Sequence, residues 1–552
     1  MILVITITSI MIPGKAQVRS QALTFTVWDL LMGLLTVFIF INIRQSSPAG
    51  LTFRDVASPL ICMALYSVVR CFMPLAFSGP TRVVFAIVIL LGGIEVLIGS
   101  AQASGMLKNS ISLFKIAGSF GNSGIYAMFL LSVLPLALYV FLDQRQAKPV
   151  YGYSALAIAA LLIYALLCHA DSRIGWITMG VIIAGYVYAY RRIPVYVTAG
   201  FAVVGILLFI FLLGYKQDST DGRSFVLLNS LQLAKQHFLW GVGVGNFEKY
   251  YNDFQAAYFS THNDIAHERL AAFIIVAYNE FLQFLIEGGV IALLIMIAIA
   301  VKFFCFVRVV FRNEADHMLK FLVVAALSFV VTSMTTYPFR TMATLTHIVL
   351  VVALLGTADK QVLFRVNVLN MYVKGLSIAT CLVITWQVAV LANSMFKWET
   401  YAGYISKKES APSVVEVKTL YQKAFGQLST SALFLHDYGE KLYFAKDYPG
   451  AIVLMEQAAL RSSHYSIYES LGRAYEAAGN FAAAEKAFLK CSHLVPNRFY
   501  PKYSLMLLYL KQQQPENARK WANVITGMPV KVDGEDVRKI KQLAQRVTAT
   551  GE

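Results

Sequence analysis

Apolar segments at 25–43, 56–76, 82–105, 123–142, 152–170, 174–190, 194–214, 281–307, 319–335, 342–356 and 370–395 fill most of the first 397 residues. Each approaches the roughly 20 residues with which an α-helix crosses bilayer hydrocarbon. The chain therefore folds as a polytopic helical membrane domain of about eleven spans. Composition agrees, because 57% apolar and only 14% charged residues exclude both a disordered chain and an ordinary soluble globule.

The net charge of +16 does not mark a nucleic-acid binder, since the basic residues stand singly in short connections between apolar runs. They report topology instead. With residues 1–24 in the cytoplasm, the inner connections carry thirteen Lys and Arg, among them Arg145, Lys148, Arg191, Lys302 and Arg312, against six outside. This positive-inside bias turns the long polar loop at 215–277 and the whole C-terminal region outward. Residues 1–12 are apolar but lack the basic-first order and cleavage site of a signal peptide, and read as a short first helix. A true span there would make twelve without moving the others. Cys62, Cys71, Cys168, Cys305 and Cys381 lie in or beside apolar runs and Cys491 stands alone, so neither a disulfide framework nor a zinc site is expected.

After residue 397 the composition becomes soluble and helical. A linker at 398–415 leads into 416–530, which repeats every 33–34 residues, aligning Tyr438-Gly439 with Leu471-Gly472 and Ala451 with Ala484 and Ala518. The unit Tyr468, Leu471, Gly472, Tyr475, Ala484, Phe488, Pro496 resembles a tetratricopeptide repeat, in which a small residue lets two helices cross closely. Such an α-solenoid implies docking of a protein or glycan and names no chemistry. Residues 531–552 form a C-terminal tail.

Candidate chemistry lies at the outer ends of the spans and in the long loop. Gly118 to Gly124, with Asn122, opens a helix as an N-cap or an anion site. Asp171-Ser172-Arg173 makes a tight turn in which Arg173 snorkels, pairs with Asp171 or holds an anion. In the loop, Arg223 precedes a run containing Gly241, Gly243, Gly245 and Asn246, whose glycines suit a flexible turn and not a dinucleotide site, since no βαβ unit fits. His262, Asp264 and His267 have too irregular a spacing to expect a metal. Tyr278-Asn279-Glu280 then begins a span in which Glu280 and Glu287 would share one helix face. Arg340 ends the Thr336-Tyr337-Pro338-Phe339-Arg340 turn. Arg173, Arg223 and Arg340 converging on the outer side would suit a diphosphate, which guanidinium groups bind in bidentate geometry.

Taken in order, Gly118 to Asn122, Ser172-Arg173, Arg223, Gly241 to Phe247, Tyr278 to Leu282 with Gly288, and Thr336 to Phe339 resemble the O-antigen ligase and polymerase family across roughly residues 110–345. The resemblance implies transfer of a glycan from an undecaprenyl diphosphate carrier to an acceptor on the periplasmic face of the bacterial inner membrane, without metal, nucleotide or other cofactor. By that analogy Arg173 and Arg223, and less directly Arg340, hold the diphosphate, while Asn122, Gly243, Asn246 and Asn279 line the glycan path. Members usually carry a histidine, read as the base for the acceptor hydroxyl, where this chain has Tyr278. A tyrosine, with a reference pKa of about 10, is a poor base at neutral pH, so the role passes to Glu280 first, or to His267 or Glu268.

Ligase and polymerase share this donor and differ in acceptor, which can be glycan, lipid or protein. Two other classes remain: a polysaccharide transporter or flippase, which would bury charge at mid-bilayer in related halves, and an inactive scaffold whose repeats bind a protein partner. The orientation itself is testable. A reporter that matures only in the periplasm is expected to be active when fused after Lys397 and inactive when fused in the 360–365 connection.

Overall fold

The computed structural model describes residues 21–47, 50–73, 75, 79–108, 114–170, 172–191, 217–262, 264–312, 316–368, 370–407, 412–530 and 533–549. Strand β1 (Gln21–Thr26) leads into helices α1 (Val27–Ser46), α2 (Phe53–Phe72), α3 (Gly79–Ala103), α4 (Ser123–Gln144), α5 (Pro149–Cys168) and α6 (Arg173–Arg191). The loop helices α7 (Gln217–Gln236), α8 (Phe247–Thr261) and α9 (Ile265–Leu270) follow. Then come α10 (Glu280–Arg312), α11 (His317–Ser333), a 3₁₀ turn (Pro338–Arg340), α12 (Met342–Ala358), β2 (Val362–Val368) and α13 (Asn370–Ser406).

Among the described residues, seven helices are long and apolar enough to cross a bilayer: α1 to α5, α10 and α13. Apolar but shorter helices occupy Arg173–Tyr188, His317–Ser333 and Met342–Ala358. The expected segments 1–12 and 194–214 lie outside the described residues. The chain divides into two compact units, the first being Met1–Ile41, Ala57–Gln217 and Tyr278–Trp386. Its centre is α4, whose apolar stretch is 78% buried against 6% for α13. Small residues make that packing close: a Cβ on Gly92 of α3 would stand 2.8 Å from Val133 of α4, and α5 turns buried Gly152, Ala155 and Ala159 inward.

Two features were not read in the sequence. β1 pairs antiparallel with β2, Phe25 stacking on Phe364 at 4.7 Å, so a two-stranded ribbon joins the otherwise helical fold. β-branched and aromatic residues suit that pairing, and segment 25–43 accordingly begins its helix only at Val27. The second feature is a fork between Asp29 of α1 and Arg70 of α2. Arg70 donates from Nε to Oδ1 and from Nη2 to Oδ2, both at 2.7 Å, while Tyr66 donates to the same carboxylate. With Arg70 also bonded to Thr24 O and Thr357 Oγ1, one guanidinium ties α1, α2, α12 and the ribbon together.

The second unit comprises Asn42–Val56, Asp218–Ala277 and Gln387–Glu552. The long loop thus groups with the C-terminal helices and not with the spans between which it lies in sequence. Helix α13 runs on to Ser406, so helix occupies the first part of the expected linker. After α14 (Val414–Leu428) come three helix hairpins: α15 (Ala432–Phe444) with α16 (Tyr448–Ala459), α17 (Tyr465–Ala477) with α18 (Phe481–Leu494), and α19 (Phe499–Lys511) with α20 (Pro515–Gly527). Their first helices start 33 and 34 residues apart. A Cβ on Gly472 would lie 2.5 Å from the Phe488 ring, and one on Gly439 2.8 Å from Met455, so each glycine marks a close helix crossing. The tail beyond 531 holds a helix, α21 (Glu535–Ala549), which buries Ile540 and Ala544 against Phe499, Met506 and Ile525.

Helix α8 seats on α18. Asn252 exchanges two hydrogen bonds with the Ile274 backbone, Gln255 donates to Leu494 O at 2.8 Å, and Asp253 receives Lys490 at 2.6 Å and Ser463 at 2.7 Å. His464 joins the same seam, its ring edge-on to Phe273 at 4.4 Å. Burial, with His436 and Arg498 nearby, holds this imidazole neutral down to about pH 4, below its usual 6.5. The unfolded chain binds the proton first as pH falls, so the second unit should lose stability progressively from pH 6.5 to 4. Melting of the full chain across that range is expected to show the loss, and His464→Gln to remove much of it.

Candidate functional site

One end of the first unit gathers most of the sequence candidates. At the end of α3, Glu95 accepts from Ser119 N at 2.9 Å and from Ser119 Oγ at 2.5 Å, and Gln102 bonds Ala117 N, Gly118 N and Gly118 O. These two side chains shape the 117–121 loop. Gly118 and Gly121 have φ of +58° and +68°, and a Cβ on Gly118 would collide with Glu95. Asn122 then caps α4, accepting from Gly124 N at 2.8 Å and Ile125 N at 3.2 Å. Its oxygen is committed to the backbone, which leaves its amide group for any ligand.

Ser172 accepts from Gly175 N as α6 begins, putting half-buried Arg173 in the first turn; Asp171 lies outside the described residues. Thr178 of α6 meets Thr332 of α11 at 3.4 Å. That contact brings the start of α6 beside the end of α11 and hence toward the turn carrying Arg340.

The start of α10 completes this end. Tyr278 adopts the left-handed conformation, φ +53°, which an L-residue seldom takes without being held there. Asn279 caps the helix by accepting from Leu282 N at 3.0 Å and donates to Met334 O at 3.1 Å. Glu280 and Glu287 do share a face, and both reach Arg340. The guanidinium donates to Glu287 at 2.9 Å and lies 3.5 Å from Glu280, whose other oxygen accepts from Phe339 N at 2.7 Å. Gln283, between them, donates to Glu287 at 3.0 Å. Two residues later α10 breaks at Gly289, φ +62° and ψ −157°, while Gly288 lets Phe38 approach. Neither carboxylate is open to solvent, their side chains being 0% and 1% exposed. Glu280 is therefore committed to contacts that hold the start of α10, and Arg340 faces two carboxyl groups instead of offering its fork to a diphosphate. The expectation of a base at Glu280 and a phosphate ligand at Arg340 meets this obstacle, which linear spacing did not reveal.

The remaining candidates fall in the second unit. Arg223 is exposed on α7. Gly241, Gly243 and Gly245 have φ of +72°, +99° and +86°, so their alternation serves a backbone that other residues rarely adopt. A Cβ on Gly243 would collide with Ser46. Asn42 in the last turn of α1 clamps this turn, accepting from Val244 N at 2.5 Å, and Asn246 donates back to Val242 O at 3.1 Å. His267 makes a 2.6 Å contact from Nδ1 to Asp264, which also receives Tyr258 Oη at 2.7 Å, and its ring stacks on Phe225 at 4.5 Å. His262 instead stacks on Tyr258. Among the described residues no three His, Cys, Asp or Glu gather as a metal site would need. Asn42, Glu95 and Gln102 escaped the sequence reading because their partners are backbone groups of loops remote in sequence, and only the acidic residue inside an apolar run hinted at any of them.

Residues 157–297 match the family model described as O-antigen ligase. The chain carries an O-antigen ligase domain. The match takes in Arg173, the long loop with Arg223 and His267, and the start of α10; Asn122 and Arg340 fall outside it. No curated protein matches the chain. Within the ligase domain, the broken start of α10 depends on its countercharge from beyond the match. Arg340→Met should strand two buried carboxylates and cost about 3–5 kcal/mol. Adding Glu280→Gln and Glu287→Gln is expected to recover much of it, as read by thermal melting in detergent.

Proposed function

We propose that this protein is an inner-membrane glycosyltransferase that moves a glycan from an undecaprenyl diphosphate carrier to an acceptor on the periplasmic face. The ligase domain at 157–297 carries this reading, since members of that family are ligase- or polymerase-type glycosyltransferases. The basic residues within the matched stretch support the donor class. Arg173 begins a helix at the polar end of the first unit, and Arg223 is exposed on α7. By the family analogy we assign Arg173 and Arg223 as the diphosphate ligands, ahead of Arg340, which lies against Glu280 and Glu287.

In the proposed reaction an acceptor hydroxyl attacks the anomeric carbon, the bond from that carbon to the diphosphate oxygen breaks, and the diphosphate leaves with the electron pair. Arg173 and Arg223 stabilise the charge gathering on the leaving group. The acceptor proton goes to a base. Glu280 is buried and engaged, so we assign the base to His267, whose side chain is 40% exposed and backed by Asp264 at 2.6 Å, a pairing that orients an imidazole. Tyr278 is assigned a structural part at the strained entry to α10. The reaction needs no metal or nucleotide, because the diphosphate is itself the activated leaving group.

The three hairpins read best as tetratricopeptide repeats, facing the periplasm with the loop they hold and available to an acceptor-bearing or assembly partner. In lipid discs with a lipid-diphosphate-linked glycan and candidate acceptors, wild type is expected to release carrier and add mass to acceptor. Arg173→Ala and Arg223→Ala should abolish release, and His267→Gln should slow transfer by about 10²-fold or more while sparing donor binding. One added unit indicates a ligase, a ladder a polymerase. Donor binding without carrier release would sink the enzyme reading in favour of a transporter or scaffold.

A further inference from the structure

Helix α7 has two unlike faces. Phe225, Val226, Leu233 and Ala234 are buried within the second unit, together with Asn229 and Ser230. The opposite face exposes Leu227, Leu228 and Leu231, and the chain leaving it exposes Phe238, Leu239 and Trp240, the last two at 65% and 66%. Six large apolar side chains in fourteen residues are left in the open on a segment already packed on its other side, and contiguous exposure of this kind marks an interaction surface.

We infer that this face lies on the bilayer, with the leucines and the Phe238-Leu239-Trp240 corner sunk to the boundary between headgroups and acyl chains. The proposal uses the reading of α1 as a span and not the transfer chemistry. Two observations select lipid over a protein partner. First, the corner is tethered to the end of that span: Trp240 O accepts from Asn42 Nδ2 at 3.4 Å and Val244 N donates to Asn42 Oδ1 at 2.5 Å, both in the last turn of α1. That turn is where the span leaves hydrocarbon, so the corner is fixed at the depth where tryptophan is favoured. Second, the leucines are flanked by cations on their own side of the helix. Arg223, Leu227, Leu231 and Lys235 follow one another every four residues and all are exposed. Apolar residues bracketed by Arg and Lys match an interface of acyl chains beneath anionic phosphates.

The consequence deepens the proposed function. A helix lying in the interface carries Arg223 at the height of lipid phosphates, so a lipid-linked diphosphate would meet its guanidinium without leaving the membrane. The lipid surface would then orient the loop as well as receive it.

The test uses the full chain in vesicles of phosphatidylethanolamine and phosphatidylglycerol and needs no substrate, so an inactive protein tests it equally. Emission of Trp240 is isolated as the difference between wild type and Trp240→Phe. A nitroxide on the lipid near the ester level should quench that difference strongly, a nitroxide at the chain terminus little, and aqueous iodide little. Leu228→Ser with Leu231→Ser should return part of the iodide quenching. Iodide quenching in the wild type would overturn the proposal, as would protection from both reagents, which would mean that protein covers the corner.

Discussion

Hydrocarbon offers no hydrogen bonds, and the pairing of Arg340 with Glu287 and Glu280 shows how much of this structure follows from that constraint. Each of these groups would be costly alone inside a membrane domain. Together they fasten the first turns of α10 to the 3₁₀ turn after α11, with Phe339 N adding a bond to the same carboxylate. Asp29 with Arg70, and Glu95 with Ser119, solve the same problem elsewhere in the first unit. Acidic side chains inside apolar runs thus act as fasteners for irregular backbone: the ribbon, the 117–121 loop and the broken helix. Such backbone is tolerated at membrane depth only where the protein itself satisfies it.

The second unit is fastened by polar contacts as well. The long loop is not a free excursion between spans but an element of the C-terminal helical array, seated on α18 through Asn252, Asp253 and Gln255. Asn497 adds a bond to Ala271 O at 2.8 Å. Short polar contacts to backbone carbonyls set its path, while Phe225, Phe259 and Ala271 supply only a small apolar core. A loop held this way can keep His267 and Asp264 in fixed register and still present an apolar face on the other side of α7. The proposed repeats would then do more than recruit, since they also define where the loop's side chains stand.

The fold was legible where periodicity speaks. Among the described residues the apolar runs fall on helices, seven of them long enough to span a bilayer, and the 33–34-residue spacing falls on the hairpins, with Gly439 and Gly472 at their close crossings. It was less legible where order depends on distant partners. β1 and β2 lie more than 330 residues apart, and nothing local announces their pairing. The alternation of Gly241, Gly243 and Gly245 pointed to an unusual backbone, yet its clamp, Asn42, sits on α1. Among the site candidates, the shared face of Glu280 and Glu287 followed from a seven-residue spacing on a helix. Their contact with Arg340 did not, because a spacing says which way a side chain points and not what it meets.

The sequence by itself determined that the chain is a multi-pass membrane protein and that a ligase-type domain lies among its apolar segments. These properties are carried by hydrophobic runs and ordered motifs, which are local. Only the tertiary structure decided which charges are buried against one another. It set Arg340 between Glu280 and Glu287 in a buried network, placed Arg223 and His267 on partly exposed helices of the loop, and joined that loop to the C-terminal helices. Whether an ionisable group can do chemistry depends on the partners that surround it in space, and those partners come from turns and helices that sequence distance does not relate.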